Sequence, residues 1–433
     1  MNVRIDSSRI IKPFYEGPPP PTTNYVPLSV FDKVTYNTHI AILYAYHLPT
    51  PPNATIENGL KMALSEYREW AGRLGQNNKG DSVIFLNDKG VRFVEASVDS
   101  KLDQAILLHP SPALLSLHPS LKGVEELLQV QLTRFSCGSL VVGFTTQHVV
   151  ADGDSVSNFL VAWGKVCRGQ GMIKPLPTHD RTIFIPRDPP RFVFDHRGVE
   201  FTSKNLMQNH DPTYTDADKD VVIHKVHFSF DFLAMLKARA SRKINKPYST
   251  FESLLAHLWR VITKARGLCG METTNIRISV NGRKRLNTVP NEYFGNLVLW
   301  AFPSAKVDDL LCHPLPYAAK LIHDAVANVN NNYFRSFVDF ATHKVEEEGL
   351  VPTADINKSV LCPNLDVDSW LRFPFNELDF GCGGPYLFMP SYFLMEGNIF
   401  LLPSIKRDGS INAFIQLFED KVEIFKQICY TLD

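Results

Sequence analysis

Residues 129–166 read QVQLTRFSCGSLVVGFTTQHVVADGDSVSNFLVAWGKV, two strands and a helix written in one run. QVQLTRF alternates apolar and polar residues, the period-2 pattern of a half-buried strand. Ser136-Cys137-Gly138 turns the chain, and SLVVGFTTQH returns it as a more apolar strand that ends at His148. Beyond Asp152-Gly153, Val156, Phe159, Leu160 and Trp163 recur at helical spacing. The histidine therefore sits on a short irregular segment carried by a rigid strand, where functional groups tend to be placed. An imidazole there is suited to act as a general base near neutral pH. Asp152, four residues on, either reaches back to hold the loop or faces away to pair with a cation. On local pattern alone, a satisfied strand-end histidine with Asp152 as an N-cap is the stronger reading, because His-x-x-x-Asp is a loose motif.

Working outward, HIAILYAY (39–46) reads as a buried strand, and Ile56, Leu60, Leu64, Tyr67 and Leu74 predict a helix ending at Gly75. VIFLND and VRFVEA flank Lys89-Gly90, the signal of a hairpin. From about 169 to 220 the pattern dissolves among Pro175, Pro177, Pro186, Pro189, Pro190 and Pro212. So long an irregular stretch usually connects domains or carries function. The second half has the same character, with VVIHKVHFSF as a strand and Ser249 and Glu252 at capping-box spacing. Phe251, Leu254, Leu255, Leu258, Trp259 and Ile262 then mark a helix. NIRISVN, GNLVLWAF, LFMPSY, NIFLLPS and AFIQLF read as strands, with a long helical stretch over 315–347 and a closing helix near Phe418. Strands and helices mix without strict alternation. The expectation is a mixed α+β (α/β) fold with two sheet-based domains, 1–175 and 219–433, and a crossover linker over 176–218.

Composition narrows the function. The 433 residues carry 45 Lys+Arg against 45 Asp+Glu, which removes any general attraction to nucleic acid or an anionic membrane. RKR at 283–285 is too short for a nucleic-acid patch. The seven cysteines are scattered and odd in number, which makes no disulfide framework, and they form no C-x-x-C pair, so neither a structural zinc site nor a thioredoxin-like redox motif is indicated. His224 and His227 fall on opposite faces of their strand and make a poor metal pair, and no metal is expected. The N-terminus lacks the apolar run of a secretory signal. No stretch approaches the roughly 18 apolar residues a membrane span needs, so a soluble cytoplasmic protein is expected, and separately a monomer.

A second local feature is Asp379-Phe380-Gly381-Cys382-Gly383-Gly384-Pro385. Three glycines and a proline set a special backbone path, and Asp379 can fix it by accepting from backbone N–H groups. Taken alone, an ordinary turn is the stronger reading. His-x-x-x-Asp-Gly near one third of the chain and Asp-Phe-Gly-x-Gly near its end together resemble the BAHD family of plant CoA-dependent acyltransferases. PLSVFDK, REWAGRL, TFESLLAHLWR, VNGRKR and NEYFGN look like further landmarks of that family along nearly the whole chain. QLTRFSCGSLVVGFTTQHVVADG, DSWLRFPF and FMPSYFLMEG resemble its amine-acylating branch, the agmatine and related hydroxycinnamoyltransferases.

The resemblance implies two chloramphenicol-acetyltransferase-like domains with a central channel. It implies no bound cofactor, with acyl-CoA as co-substrate and a small amine such as agmatine, putrescine, tyramine or tryptamine as acceptor. His148 would be the general base and no acyl-enzyme would form, in keeping with the lack of a G-x-S-x-G elbow. Asp152 would pair with Arg283 in the Asn281-Gly282-Arg283 strand end, and Asp379 and Gly381 would shape a loop remote from the reacting atoms. For the CoA end, Ser249 and Thr250 at a helix N-terminus are candidates, with Arg242, Lys243 and Lys246 supplying charge. For the acceptor, Glu377, Asp32 and Asp368 are candidate carboxylates, with His39 as a polar neighbour. Cys382 departs from the family's usual tryptophan, and a thiol is too poor a donor to inherit an oxyanion role. Isoleucines at 40 and 42, where shikimate- and quinate-acylating relatives carry small hydroxyl residues, argue against a polyhydroxylated acceptor. Three other readings stand beside this one. An O-acyltransferase would share the fold. A peptide-synthetase condensation domain would need a histidine where Gln147 stands. A non-catalytic binding protein would have no need of His148.

Overall fold

The protein is described from a computed structural model covering all residues except 106–109, 122, 173, 205–219, 243, 356–358 and 433. Much of the end of the expected linker, and Lys243, thus lie outside the described residues.

The chain divides into two compact units that are not contiguous in sequence. The first comprises Met1–Asp188, Asn287–Leu297 and Phe373–Phe393, and the second comprises Pro189–Leu286, Val298–Arg372 and Leu394–Asp433. The contiguous halves drawn from the proline-rich stretch do not reproduce this division. Two short later segments count with the first unit because they pair and hydrogen-bond there. Nothing in their local sequence marks such a return.

The first unit is built on a six-stranded sheet in the order Arg4–Ile11, Val91–Val98, Leu128–Phe135, Leu140–Gln147, His39–Tyr46 and Leu387–Pro390. Neighbours are antiparallel except Val91–Val98 with Leu128–Phe135. The hairpin Leu128–Phe135/Leu140–Gln147 forms as its alternation predicts, and His39 pairs in register with Gln147. The helix Gly153–Cys167 follows, burying Val156, Phe159, Leu160 and Trp163. Phe159 and Trp163 lie 6.0 and 6.4 Å from Phe144 of the adjoining strand, and the Trp163 indole donates to Ile56 O at 3.0 Å. Each such fully buried large apolar side chain contributes about 1.5–3 kcal/mol.

Two expectations in this unit fail. The first helix is Asn53–Glu66, and Leu74 and Gly75 belong to a strand, Arg73–Gln76. Tyr67 caps the helix, and a 3-10 turn, Arg68–Ala71, intervenes. The Lys89-Gly90 hairpin does not form. Ser82–Phe85 pairs with Tyr25–Pro27 and Arg73–Gln76, whereas Val91–Val98 joins the large sheet. Gly90 has a φ of +92°, so it makes a turn, but the two strands leave it for different sheets.

The second unit carries a sheet in the order Val221–Phe228, Ile411–Phe418, Asn398–Pro403, Leu365–Ser369, Thr273–Asn281 and Val298–Ala301, with Ser304–Lys306 also on Thr273–Asn281. The helix Thr250–Ala265 begins at the expected capping box. Its Trp259 indole donates to Thr274 Oγ1 at 3.1 Å. The stretch over 315–347 is two helices, Leu315–Asn328 and Asn331–Glu347, the second capped by Asn330. Tyr333, Phe334, Phe337 and Phe340 are buried core, as their helical spacing suggested. Among the described residues no helix is long and apolar enough to cross a membrane.

Candidate active site

His148 lies one residue past the strand Leu140–Gln147 and is half-buried. Its backbone N–H donates to Thr38 O at 2.9 Å, and its carbonyl accepts from Asn296 Nδ2 at 3.0 Å. The same Asn296 amide nitrogen is 3.0 Å from Val149 O. The imidazole is held through Nδ1, 3.2 Å from Thr35 Oγ1, with the Tyr36 ring centroid 6.1 Å away. Backbone and ring thus both have partners.

Asp152 is the N-cap of Gly153–Cys167, as its place before the helical run suggested. It does more than cap. Oδ1 accepts from Ser155 N at 3.0 Å, and Oδ2 accepts from Leu297 N at 2.9 Å. Ser155 Oγ in turn donates to Gly295 O at 3.0 Å. The NEYFGN segment is thereby tied to the start of this helix, and its Asn296 to the His148 carbonyl. Arg283 follows the strand Thr273–Asn281 in the second unit, 6% exposed, with its backbone N–H donating to Asn281 Oδ1 at 3.0 Å.

Asp32 corrects an expectation. As an acceptor-binding carboxylate it would face a ligand, but it is 0% exposed and fully occupied. Oδ2 closes a capping box with Ser29 N and Oγ, both at 2.8 Å, at the start of the one-turn helix Val30–Lys33. The same oxygen lies 2.7 Å from Arg181 Nη1, and Oδ1 accepts from Asn296 N at 3.0 Å and Asn296 Nδ2 at 2.9 Å. Arg181 also donates to Val150 O at 2.7 Å. Burial works against the Arg181 charge, but the Asp32 carboxylate outweighs it and holds the guanidinium protonated well above its ordinary range. Two segments far apart in sequence, at Arg181 and Asn296, meet on this carboxylate, and both touch the His148 loop.

Beside Arg181 lies the pair His179–Glu69, 2.7 Å apart. Burial disfavours both charges, yet each partner outweighs it: His179 is raised above its ordinary value, and Glu69 is lowered. Sequence reasoning placed His179 and Arg181 in a linker. The HDRT run carries no periodicity, and only the buried acids they meet show their place.

The Asp379 loop sits at the other end of the same helix. Asp379 Oδ1 accepts from Gly381 N at 2.8 Å and Cys382 N at 3.1 Å, while Oδ2 lies 2.7 Å from Arg168 Nη1. Gly381 has a φ of +103°, a conformation glycine adopts without strain. Gly164 allows close approach: a Cβ there would stand 2.7 Å from Asp379 O. Phe380 packs 4.8 Å from Trp163. Fifteen residues of helix, about 22 Å, separate this loop from the His148 loop. Burial pushes the Cys382 thiol up.

The remaining candidates are less engaged with a site. His39 Nε2 donates to Glu126 O at 2.9 Å, a structural anchor and not an outward-facing polar group. Glu377 ends a 3-10 turn, Pro374–Glu377, and is exposed. Asp368 accepts from Ser279 Oγ at 3.0 Å, and burial pushes its carboxyl up. Ser249 is spent on its own capping box: its N–H and Oγ both bond Glu252 Oε2, at 2.6 and 2.7 Å. That acid already meets the helix N-terminus at Thr250 and disfavours a phosphate on Ser249 itself. Arg242 is exposed.

A mixed α/β fold thus carries a strand-end histidine with partners on both its ring and its backbone, a group able to accept a proton near neutral pH. A family model described as the Transferase family matches residues 1–432. The chain belongs to this family, the BAHD acyltransferases. It is 51% identical over 442 residues to putrescine hydroxycinnamoyltransferase 3 of Oryza sativa subsp. japonica, with 100% of each chain covered. It is 50% identical over 442 residues to agmatine coumaroyltransferase-1 of Hordeum vulgare, again with 100% of each covered. The crystal structure of F. graminearum TRI101 complexed with coenzyme A and deoxynivalenol superposes with a TM-score of 0.76 at 18% identity. It covers 93% of this chain and 97% of that one.

Proposed function

We propose that the protein transfers a hydroxycinnamoyl group from CoA to a small aliphatic or aryl-alkyl amine, releasing an amide and free CoA. The observation that carries this reading is His148 held by ring and backbone in a chain half identical, end to end, to amine hydroxycinnamoyltransferases. The amine nitrogen attacks the thioester carbonyl while His148 accepts its proton through Nε2. The tetrahedral oxyanion collapses, the C–S bond breaks, and the proton on His148 is available to the departing thiolate. One transfer step suffices, so no covalent acyl-enzyme is needed.

Asp152, Arg283, Asp379 and Gly381 act structurally in this scheme. Thr250 and Arg242 remain the candidates for the CoA phosphates. Glu377, exposed and unburdened by a buried partner, remains the candidate for the distal charge of the amine. We take the enzyme to act as a monomer in the cytoplasm without nucleic-acid or membrane partners.

The test is a matrix of p-coumaroyl-CoA and other aromatic acyl-CoA donors against mixed amines and alcohols, read by mass spectrometry. Amide products with free CoA are expected. Ester products alone would establish an O-acyltransferase, and no product with any donor would favour a binding role.

A further inference from the structure

Thr35 has no place in the expectations drawn from the sequence, yet its hydroxyl is the group seen at His148 Nδ1, at 3.2 Å. It is 7% exposed and follows the buried Val34. The short helix before it is pinned by Asp32, whose other oxygen holds Asn296, which in turn bonds the His148 carbonyl. Thr38, three residues on, accepts the His148 N–H. The segment that carries Thr35 is thus tied to His148 at its backbone on both sides, and Thr35 adds the contact to the ring.

A neutral imidazole carries one N–H and one acceptor nitrogen, and the partner of one nitrogen decides the state of the other. A base acting through Nε2 needs its lone pair there and its hydrogen on Nδ1. We infer that Thr35 is a positioning residue that accepts the Nδ1–H of His148, fixing the base-competent tautomer and ring orientation. As His148 takes the proton, the same bond becomes charge-assisted and strengthens. This selects for the charge that develops in the transfer step and not for substrate binding. The inference rests on the reading of His148 as the base.

The experiment compares Thr35→Val, which keeps the shape and removes the acceptor, with Thr35→Ser, which restores it. Both are assayed with p-coumaroyl-CoA and the amine the wild type accepts, with thermal unfolding as a control. Thr35→Val should lower kcat about 10- to 100-fold, the size of a lost hydrogen bond to a charged group, and leave both KM values within about twofold. Thr35→Ser should recover most of kcat. Should Thr35→Val fail to fold, Thr35→Ala is read against Thr35→Ser in the same way. Unchanged kcat in the hydroxyl-free variant overturns the inference. So does a loss that Thr35→Ser does not repair, since packing would then be the cause. His148→Ala run alongside separates the two levels. If it is as active as wild type, the base assignment falls. If it is inactive while Thr35→Val is normal, only the tautomer assignment falls.

Discussion

The two ends of the helix Gly153–Cys167 hold the two motifs that marked the chain, and they hold them differently. At the N-terminal end, residues from three distant segments converge on the His148 loop: Thr35 and Thr38, Arg181, and Asn296. At the C-terminal end, one aspartate, one arginine and a glycine-permitted close approach fix the Asp379 loop. The first arrangement surrounds a titratable histidine with partners from elsewhere in the chain. The second sets a backbone path through contacts of a single carboxylate. A motif can be prominent in sequence for either reason, and its hydrogen-bond partners tell which.

The comparison breaks most sharply at His148. His148→Ala should lower kcat by about 100- to 10,000-fold while thermal unfolding changes little, because the side chain is half-buried and its removal leaves the backbone bonds intact. Steady-state kinetics beside a melting curve is the check, and retained turnover would remove the base. The other end should behave in the opposite way. Asp379→Ala should cost about 1–3 kcal/mol in urea unfolding, since it removes two backbone acceptor bonds and a partly exposed ion pair. The fraction that stays folded should keep a near-normal KM. A variant as stable as wild type would show that the loop needs no carboxylate.

The smallest effect is one of pH. His179 is raised by Glu69, so its contribution is full below the ordinary histidine value and is lost as pH rises through the higher folded value. Glu69 is lowered, so its contribution is present above the ordinary glutamate value and is lost as pH falls through the lower one. The pair therefore supports the N-terminal side best between these limits. Melting temperatures from mildly acidic to alkaline pH should show a loss of about 1 kcal/mol that His179→Asn removes and Asp379→Ala leaves in place. An identical alkaline loss in His179→Asn would assign it elsewhere.

Much of the fold is legible in the sequence. The hairpin, the helix after Asp152, the capping box at Ser249 and the mixed sheet architecture follow from local periodicity and end signals. Hairpin partners at Gly90 are not legible, because a turn fixes a change of direction and not which sheet receives the strand. The site shows the same limit. His148 and Asp152 lie four residues apart and form a visible motif. Thr35 and Asn296 reach the same loop from 113 and 148 residues away and leave no local trace. Asp32 stands out for its charge and misleads, because a carboxylate's burial depends on partners such as Arg181 that spacing does not reveal.

The division into units bears on how the protein is made. The first unit takes in Asn287–Leu297 and Phe373–Phe393, so it is not complete until about nine-tenths of the 433 residues have been synthesised. Until Leu387–Pro390 is made, His39–Tyr46 lacks one of its two neighbours in the sheet. Asn296 is also absent from its place beside His148 until the growing chain has passed it. The segment that bonds the His148 carbonyl is delivered late, and a fragment ending at residue 188 would carry the histidine motif without it.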